Sequence, residues 1–377
     1  MSGKRRGMIP FFSRLVLKGF SIPYSMIIRI RNILYDSQLK TIHCVSVPVI
    51  SVGNLTLGGT GKTPLVEMIA NFYGNRGHFP GLISRGYHSS AQNEYFEDDL
   101  SEQDRPFADF LRPNDEAREI AIRIPDLPHF QNPNRFEAAK AILRRFPDRD
   151  ILILDDAFQH RKMNRDLDIV ILDALQPFGF DHIFPRGMLR EPLSGLKRAD
   201  IILLSRADLI SSQERLSIRK KVNEIASSAV WGEIQHNPEF IFQGNFSSVF
   251  PQAKGLEKTL FSDWKRCVAV EQSFIAFCGL GNPEGFFQML KKEKICVQET
   301  IVFPDHHCYT ERDFQELEQL ALKKQVFGLL TTMKDLVKIQ RSQIGNIPLY
   351  AVQIGLRFLS GENEFKQKLI NVLEFKK

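Results

Sequence analysis

The segment Gly53-Asn54-Leu55-Thr56-Leu57-Gly58-Gly59-Thr60-Gly61-Lys62-Thr63 constrains this chain more than any other stretch, because of what flanks it. Residues 45–52 before it read as a β-branched strand that starts past Pro48. After it, Pro64 suits a first helical position, and Leu65, Met68, Ile69 and Phe72 recur at helical spacing. A glycine-rich turn between a buried strand and a helix lets successive backbone amides turn inward on phosphate oxygens at a helix N-terminus. In such a loop Lys62 reaches the β- and γ-phosphates and the Thr63 hydroxyl ligates magnesium. The usual first glycine of the GxxxxGK[ST] pattern falls on Thr56, so the loop entry follows its own path.

A phosphate loop of this kind sits at the carboxyl edge of a parallel sheet, and the rest of the chain supplies one. Short apolar runs at 82–84, 151–154, 168–172 and 201–204 alternate with helix-compatible stretches. Past residue 211 the texture changes to interleaved Glu and Lys, then to a Phe-rich, turn-rich passage up to 265. Strands are then expected at 273–278, 326–332 and 349–354, and helices at 282–292 and 310–323. The length of 377 residues suits two domains. The expected fold is α/β: a P-loop NTPase-type parallel sheet with flanking helices over 41–212, a second, smaller α/β domain over 213–377 closing over the site, and an N-terminal amphipathic membrane-interface helix within 1–40.

The formal charge of +6 is concentrated in that arm, where Lys4, Arg5, Arg6, Arg14, Lys18, Arg29, Arg31 and Lys40 face Asp36 alone. A body so nearly neutral weakens a nucleic-acid reading, and no nucleic-acid partner is expected. The arm interleaves its cations with Phe11, Phe12, Leu15, Phe20, Ile22, Met26, Ile27, Ile30 and Ile33. Its longest uncharged stretch runs only from Gly19 to Ile28, short of the roughly 20 apolar residues of a membrane span. The pattern suits a helix in the membrane interface, where each cation near anionic lipid contributes about 1 kcal/mol, or else a core-packing helix with a basic rim. Five scattered cysteines without a CxxC pair suggest neither a disulfide framework nor a zinc knuckle and fit a reducing cytoplasm.

A magnesium partner is expected at the end of another apolar strand, and Ile151-Leu152-Ile153-Leu154-Asp155-Asp156 has that form, with either Asp able to hold the ion. ATP and Mg2+ are the expected cofactors. A kinase, a GTPase-like switch and an ATP-driven ligase all share this cradle. Ser205-Arg206-Ala207-Asp208 is faintly like a guanine-reading motif but lacks its Asn-Lys pair.

Further strings carry a resemblance. Ser51-Val52-Gly53-Asn54 running into Gly58-Gly59-Thr60-Gly61-Lys62-Thr63-Pro64 is followed by Ser84-Arg85-Gly86-Tyr87 and Asp155-Asp156-Ala157-Phe158-Gln159-His160-Arg161. Next come Arg165-Asp166-Leu167-Asp168, Leu189-Arg190-Glu191-Pro192-Leu193, Gly279-Leu280-Gly281-Asn282-Pro283 and Phe303-Pro304-Asp305-His306-His307. In this order they resemble the tetraacyldisaccharide 4′-kinases, the lipid A kinases, over about residues 50–338. The chain departs from that pattern at Ala117, Ala157, Met333 and Cys308, while Asp115, Gln159, Lys334 and Asp335 are kept.

The resemblance implies transfer of the ATP γ-phosphate to the 4′-hydroxyl of a tetraacylated glucosamine disaccharide at the cytoplasmic face of the bacterial inner membrane, by a peripheral enzyme expected to be monomeric. It implies Asp115 as general base with His306 as its partner, and His307 as the alternative. The remaining catalytic groups are Lys62 and Arg190. The nucleotide would be held by Thr56, Leu57, Gly58, Gly59, Thr60, Gly61, Lys62, Thr63 and Gln159, and the metal by Thr63, Asp155, Asp156 and Glu191. Tyr87 and Arg135 are the expected substrate contacts. On ligand chemistry alone, the Asp305-His306-His307 triplet also suits a metal.

Overall fold

The computed structural model describes residues 8–86, 103–104, 110–111, 114–249, 252–267, 272–305 and 307–374. The chain runs α1 (Met8–Asp36), β1 (Val49–Asn54), α2 (Lys62–Gly74), β2 (Pro80–Ser84), α3 (Asp115–Arg123), β3 (His129–Gln131), α4 (Arg135–Arg145), β4 (Ile151–Asp155), β5 (Leu167–Asp173) and β6 (Ile201–Ser205). It continues through α5 (Ser212–Ile225), β7 (Val230–Val249), β8 (Gln252–Leu260), α6 (Phe261–Cys267), β9 (Phe274–Cys278), α7 (Pro283–Lys292) and β10 (Val297–Val302). The last elements are α8 (Glu311–Lys324), β11 (Gly328–Thr332), α9 (Met333–Ile339), β12 (Gln343–Ile344), β13 (Ile347–Ser360) and α10 (Glu362–Glu374).

One sheet passes through both halves of the molecule, in the order β10-β9-β11-β13-β7-β6-β5-β1-β4-β2-β3. The first block, from β6 to β3, is parallel throughout. Its central strands are buried along their whole length and mostly apolar because helices cover both faces. On one face α2 and α10 seal them, through Leu65, Ile69, Phe365 and Leu369. The second block, β10-β9-β11-β13, is also parallel. Between the blocks, β13 pairs antiparallel with β7, while the first residues of β7 run parallel to β6.

That single antiparallel junction has a geometric consequence. Strands of the two blocks run in opposite senses, so their carboxyl ends converge from opposite sides. Ligands of open α/β sheets bind at carboxyl ends, and here both sets of ends border one cavity of about 740 Å³. Its floor is the middle of β7 and β13, at His236, Pro238, Val352 and Ile354.

A buried charge network fastens the junction. Arg123 of α3 donates to Glu67 of α2 at 2.7 Å and to Glu119 at 2.8 Å, and also to the Ile354 carbonyl of β13. Gln353 of β13 donates to the other Glu67 oxygen at 2.8 Å. Burial works against the guanidinium charge, but the two carboxylates outweigh it and raise the Arg123 pKa. The helix behind the glycine loop is thereby tied to the second block.

The first strand begins at Val49, after Pro48, as its sequence implies. The passage expected to be turn-rich up to 265 is instead mostly the β7–β8 ribbon, antiparallel with a register shift between Gly244 and Ser247. The basic arm forms one helix to Asp36, with Pro23 inside it.

Candidate active site

The cradle is built by close approaches that only glycine permits. A Cβ on Gly53 would lie 2.6 Å from the Cβ of Phe158, so β1 can pass the loop after β4 only without a side chain there. Gly61 has φ +92°, in the left-handed region, and a Cβ on it would meet His236 Nε2 at 2.6 Å. Asn54 closes the loop from below, its amide donating to Thr60 Oγ1 at 3.3 Å. Leu57 N donates to the Met188 carbonyl at 2.8 Å, and Arg190 N donates to the Leu55 carbonyl at 2.8 Å. These cross-links replace the missing glycine at Thr56, which bridges to Leu189.

The resulting loop fits a polyphosphate. Among the described residues, no protein group accepts from the amides of Gly59, Thr60 or Gly61. A Cβ on Gly59 would meet nothing within 4 Å, so the loop borders open space. Residues 56–64 all line the cavity, and α2 points its N-terminus at it.

Below the loop sit two unlike carboxylates. Asp156, at φ +49°, is gripped by Arg190 NH1 at 2.9 and 2.8 Å and lies 3.5 Å from Lys62 Nζ. Burial opposes its ionisation, but Lys62 and Arg190 prevail and hold its pKa below the ordinary value. Asp155 is different: burial pushes its carboxyl up to about 7, with Glu116 and Asp156 adding repulsion that Lys62 only partly offsets. No cation among the described residues lies within ion-pair distance of Asp155, and Asp156 N donates to it at 2.8 Å. A buried carboxylate whose charge Lys62 offsets only in part, bordering the same cavity as the Thr63 hydroxyl, offers hard oxygen donors suited to magnesium. The described residues hold no cluster of three or more His, Cys, Asp or Glu, so phosphate and water oxygens would complete such a site.

Beyond the loop, Arg206, itself at φ +58°, donates to the Gly59 carbonyl at 2.9 Å and to Asp173 at 2.6 Å. His236 shares a 2.9 Å hydrogen bond with Ser205, and burial, with Arg206 adding, pushes its imidazole down to about 4. The second block adds Leu280, Gly281 and Asn282 after β9, Asp305 after β10, and Thr332, Met333 and Lys334 after β11.

A family model described as tetraacyldisaccharide-1-P 4′-kinase matches residues 13–374. The tetraacyldisaccharide 4′-kinase of Halothermothrix orenii is 37% identical over 336 residues, covering 88% of this chain and 85% of that one. That of Chlorobaculum parvum is 34% identical over 361 residues, covering 94% and 93%. The chain belongs to the tetraacyldisaccharide 4′-kinase family. In structure it is similar to LpxK from Aquifex aeolicus, solved in complex with ATP, with a TM-score of 0.68 at 28% identity over 96% of this chain and 99% of that one. The expected α/β fold therefore holds, and as a member of this family the chain is a kinase.

The kinase fold brings many of the expected site residues together. Thr56 to Thr63, Asp155, Asp156 and Arg190 all border the cavity. Gln159 and Glu191 stand behind the loop instead. Gln159 donates to the Asn54 carbonyl and to Glu191, both at 3.0 Å. Glu191, only 1% exposed, is held by Arg198 at 2.9 Å to each oxygen and by Asn32 at 3.1 Å. Those contacts occupy both its oxygens, which differs from the expectation that it faces a metal. Arg135 is buried, donating to the Asn132 and Pro133 carbonyls, and does not line the cavity.

Asp115 begins α3 and is half-buried; its neighbour Glu116 lines the cavity and Asp115 does not. His307 bonds Asp313 at 3.0 Å and stacks on Phe303, away from the cavity. Tyr87 and His306 lie outside the described residues. Sequence reasoning missed Arg206 and His236 as cradle neighbours. Arg206 had a faint signal in the Ser-Arg-Ala-Asp string after a strand, and His236 had none, because its place depends on the long β7.

Proposed function

We propose that this kinase transfers the γ-phosphate of ATP to the 4′-hydroxyl of a tetraacylated glucosamine disaccharide 1-phosphate, giving lipid IVA in lipid A biosynthesis at the cytoplasmic face of the inner membrane. The observation that carries this reading is the open amide cradle of residues 58–63 at the border of a cavity flanked by two sets of strand ends. One set suits a nucleotide and the other an acceptor. The ATP complex of the Aquifex aeolicus relative supports the choice of nucleotide.

In this reading the amides of 59–61 and the α2 N-terminus bind the phosphates, and Lys62 leaves Asp156 to neutralise the transferring group. Thr63 and Asp155 would hold magnesium directly, with Asp156 beside them. The ion would supply positive charge against the phosphate oxygens. Arg190, fixed by Asp156, is set to face the charge that spreads over the transferring group. Arg135, which donates to the Asn132 and Pro133 carbonyls, is assigned a supporting part in shaping the acceptor side.

Asp115 is the proposed general base, taking the proton of the 4′-hydroxyl, with His306 as the group that orients it; Tyr87 is the proposed sugar contact. Because α3 packs on both α2 and α9, a small closure of the second block on the first would carry Asp115 toward the acceptor. Proton removal by a placed carboxylate contributes about 10²- to 10⁴-fold in such transfers.

Helix α1 supports attachment to an anionic membrane surface. Its outer side exposes Phe20, Ile22, Met26, Ile27, Ile30 and Ile33, with Lys18 and Arg29 among them. No helix among the described residues is long and apolar enough to cross a membrane. A monomer lying on the bilayer would meet a substrate whose acyl chains stay in lipid. The test is transfer from γ-labelled ATP to the purified tetraacyl disaccharide in mixed micelles. A lipid product with one added phosphate is expected; label released only as inorganic phosphate would reject the reading.

A further inference from the structure

Helix α1 reverses the usual arrangement of a surface helix. Over residues 17–36 it presents mostly polar side chains to the body and leaves most of its bulky apolar ones outside. Its inward stripe carries Ser21, Tyr24, Arg31, Asn32 and the buried Tyr35 at helical spacing, with the half-buried Leu17 and Ile28 among them. What that stripe grips is specific. Tyr24 OH donates to the Arg190 carbonyl at 3.2 Å, and Asn32 Nδ2 donates to Glu191 at 3.1 Å. Arg31 donates to the Gln159 carbonyl at 2.6 Å. One helix thus spans two loops, the one following β4 and the one carrying Arg190 and Glu191.

Both loops support the cradle directly. Gln159 holds the Asn54 carbonyl, where β1 gives way to the glycine loop. Arg190 holds the Leu55 carbonyl through its backbone and Asp156 through its guanidinium. Glu191 is a buried carboxylate whose charge is shared among Arg198, Gln159 and Asn32. Removing one donor from a buried carboxylate leaves it under-satisfied, and the two loops then lose their common reference.

The geometry points to α1 as a positioning element for the nucleotide site, with Tyr24, Arg31 and Asn32 as positioning residues that act through Arg190, Gln159 and Glu191. None of the three lines the cavity, so each acts through another group. This deepens the proposed function, and it rests on the 58–63 loop holding the triphosphate. A helix that served only to attach the protein would have no bearing on nucleotide affinity in the absence of lipid.

The test uses the full chain and no lipid. Titrating magnesium ATP by calorimetry, Asn32→Ala is expected to weaken affinity about 10- to 20-fold, the lower end of the worth of a hydrogen bond to a charged group. Asn32→Asp, which sets a second carboxylate against Glu191, is expected to weaken it further. Tyr24→Phe deletes one oxygen, keeps the ring, and is expected to cost about 2- to 5-fold, so it carries the test if Asn32 variants fold poorly. In mixed micelles kcat should fall with the KM for lipid unchanged. ATP affinity and kcat within twofold of wild type in Tyr24→Phe, and in Asn32→Asp where that variant folds, while the wild type binds ATP and transfers phosphate, would overturn the inference alone. A wild type that takes up no ATP would overturn the proposed function and this inference with it.

Discussion

Arg206 donates from one guanidinium nitrogen to the carbonyl of Gly59 at 2.9 Å and to the carboxylate of Asp173 at 2.6 Å. A peptide whose oxygen is pinned outward turns the following N–H inward, which is the orientation a phosphate cradle needs. Arg206→Ala should therefore raise the KM for ATP about 10-fold, within the range for losing a charged hydrogen bond, and leave the KM for lipid unchanged. Arg206→Lys should recover little, since the shorter lysine side chain does not place its nitrogen where that guanidinium nitrogen meets both acceptors. Steady-state kinetics with each substrate varied in turn checks this.

Lys62→Ala should reduce phosphate transfer by about 10³-fold or more, as expected when a positioned cation leaves a transferring phosphoryl group. The fold should survive, because Lys62 is at the cavity-facing start of α2 and its contact with Asp156 is a loose 3.5 Å. Circular dichroism and transfer assays on the same preparation measure both outcomes.

Asp155 links pH to metal binding. With its folded pKa raised to about 7 by burial, the folded state holds a proton that the unfolded chain has released by about pH 4. Without metal, the folded state therefore loses stability as pH rises from about 4 to about 7. Asp155→Asn should raise the melting temperature of metal-free protein at pH 8 by about 2–4 °C and show a smaller gain at pH 5. The same substitution should abolish activity. In wild type, apparent magnesium affinity should fall about tenfold for each pH unit below 7 if Asp155 binds in its ionised form.

Asp115→Ala should lower kcat about 10²- to 10⁴-fold and change ATP affinity little, because a base acts on the acceptor. An effect confined to ATP binding would instead make this residue part of the nucleotide side, where Glu116 already borders the cavity. Rapid-quench measurement of the chemical step, alongside an ATP titration, separates the two.

Replacing Ile27 and Ile30 by Ser removes apolar surface from the outer side of α1, where they are 64% and 49% exposed. Partition onto anionic vesicles should weaken by about 10-fold or more, from roughly 25 cal/mol per Å² of surface no longer buried in lipid. Sedimentation with vesicles of mixed zwitterionic and anionic lipid reads the change directly.

Much of the nucleotide side was legible in the sequence because its determinants are local. Gly58 to Thr63 must follow a strand and start a helix, and Asp155 must end a strand, so the shared carboxyl edge of a parallel sheet brings them near one another. The second block was legible in outline for the same reason: β9, β11, α7 and α8 lie within a residue or two of their expected bounds along most of their edges. The junction was not legible. Strand β7 contains Pro238 and Gly244, which read as turn residues, and its pairing with β13 spans more than a hundred positions. His236 owes its place beside Gly61 to that pairing. The roles of Glu191 and Gln159 were hidden for a related reason, since a buried carboxylate looks the same in sequence whether it meets a metal or an arginine. Only the position of Arg198 and Asn32 distinguishes the two.

The most direct measurement is a crystal structure of this kinase with magnesium and a non-hydrolysable ATP analogue. The account predicts β- and γ-phosphates on the amides of residues 59–63, Lys62 turned from Asp156 to the γ-phosphate, and the ion between Thr63 and Asp155. A triphosphate bound elsewhere in the cavity, with Lys62 still paired to Asp156 and the glycine loop left unused, would contradict it.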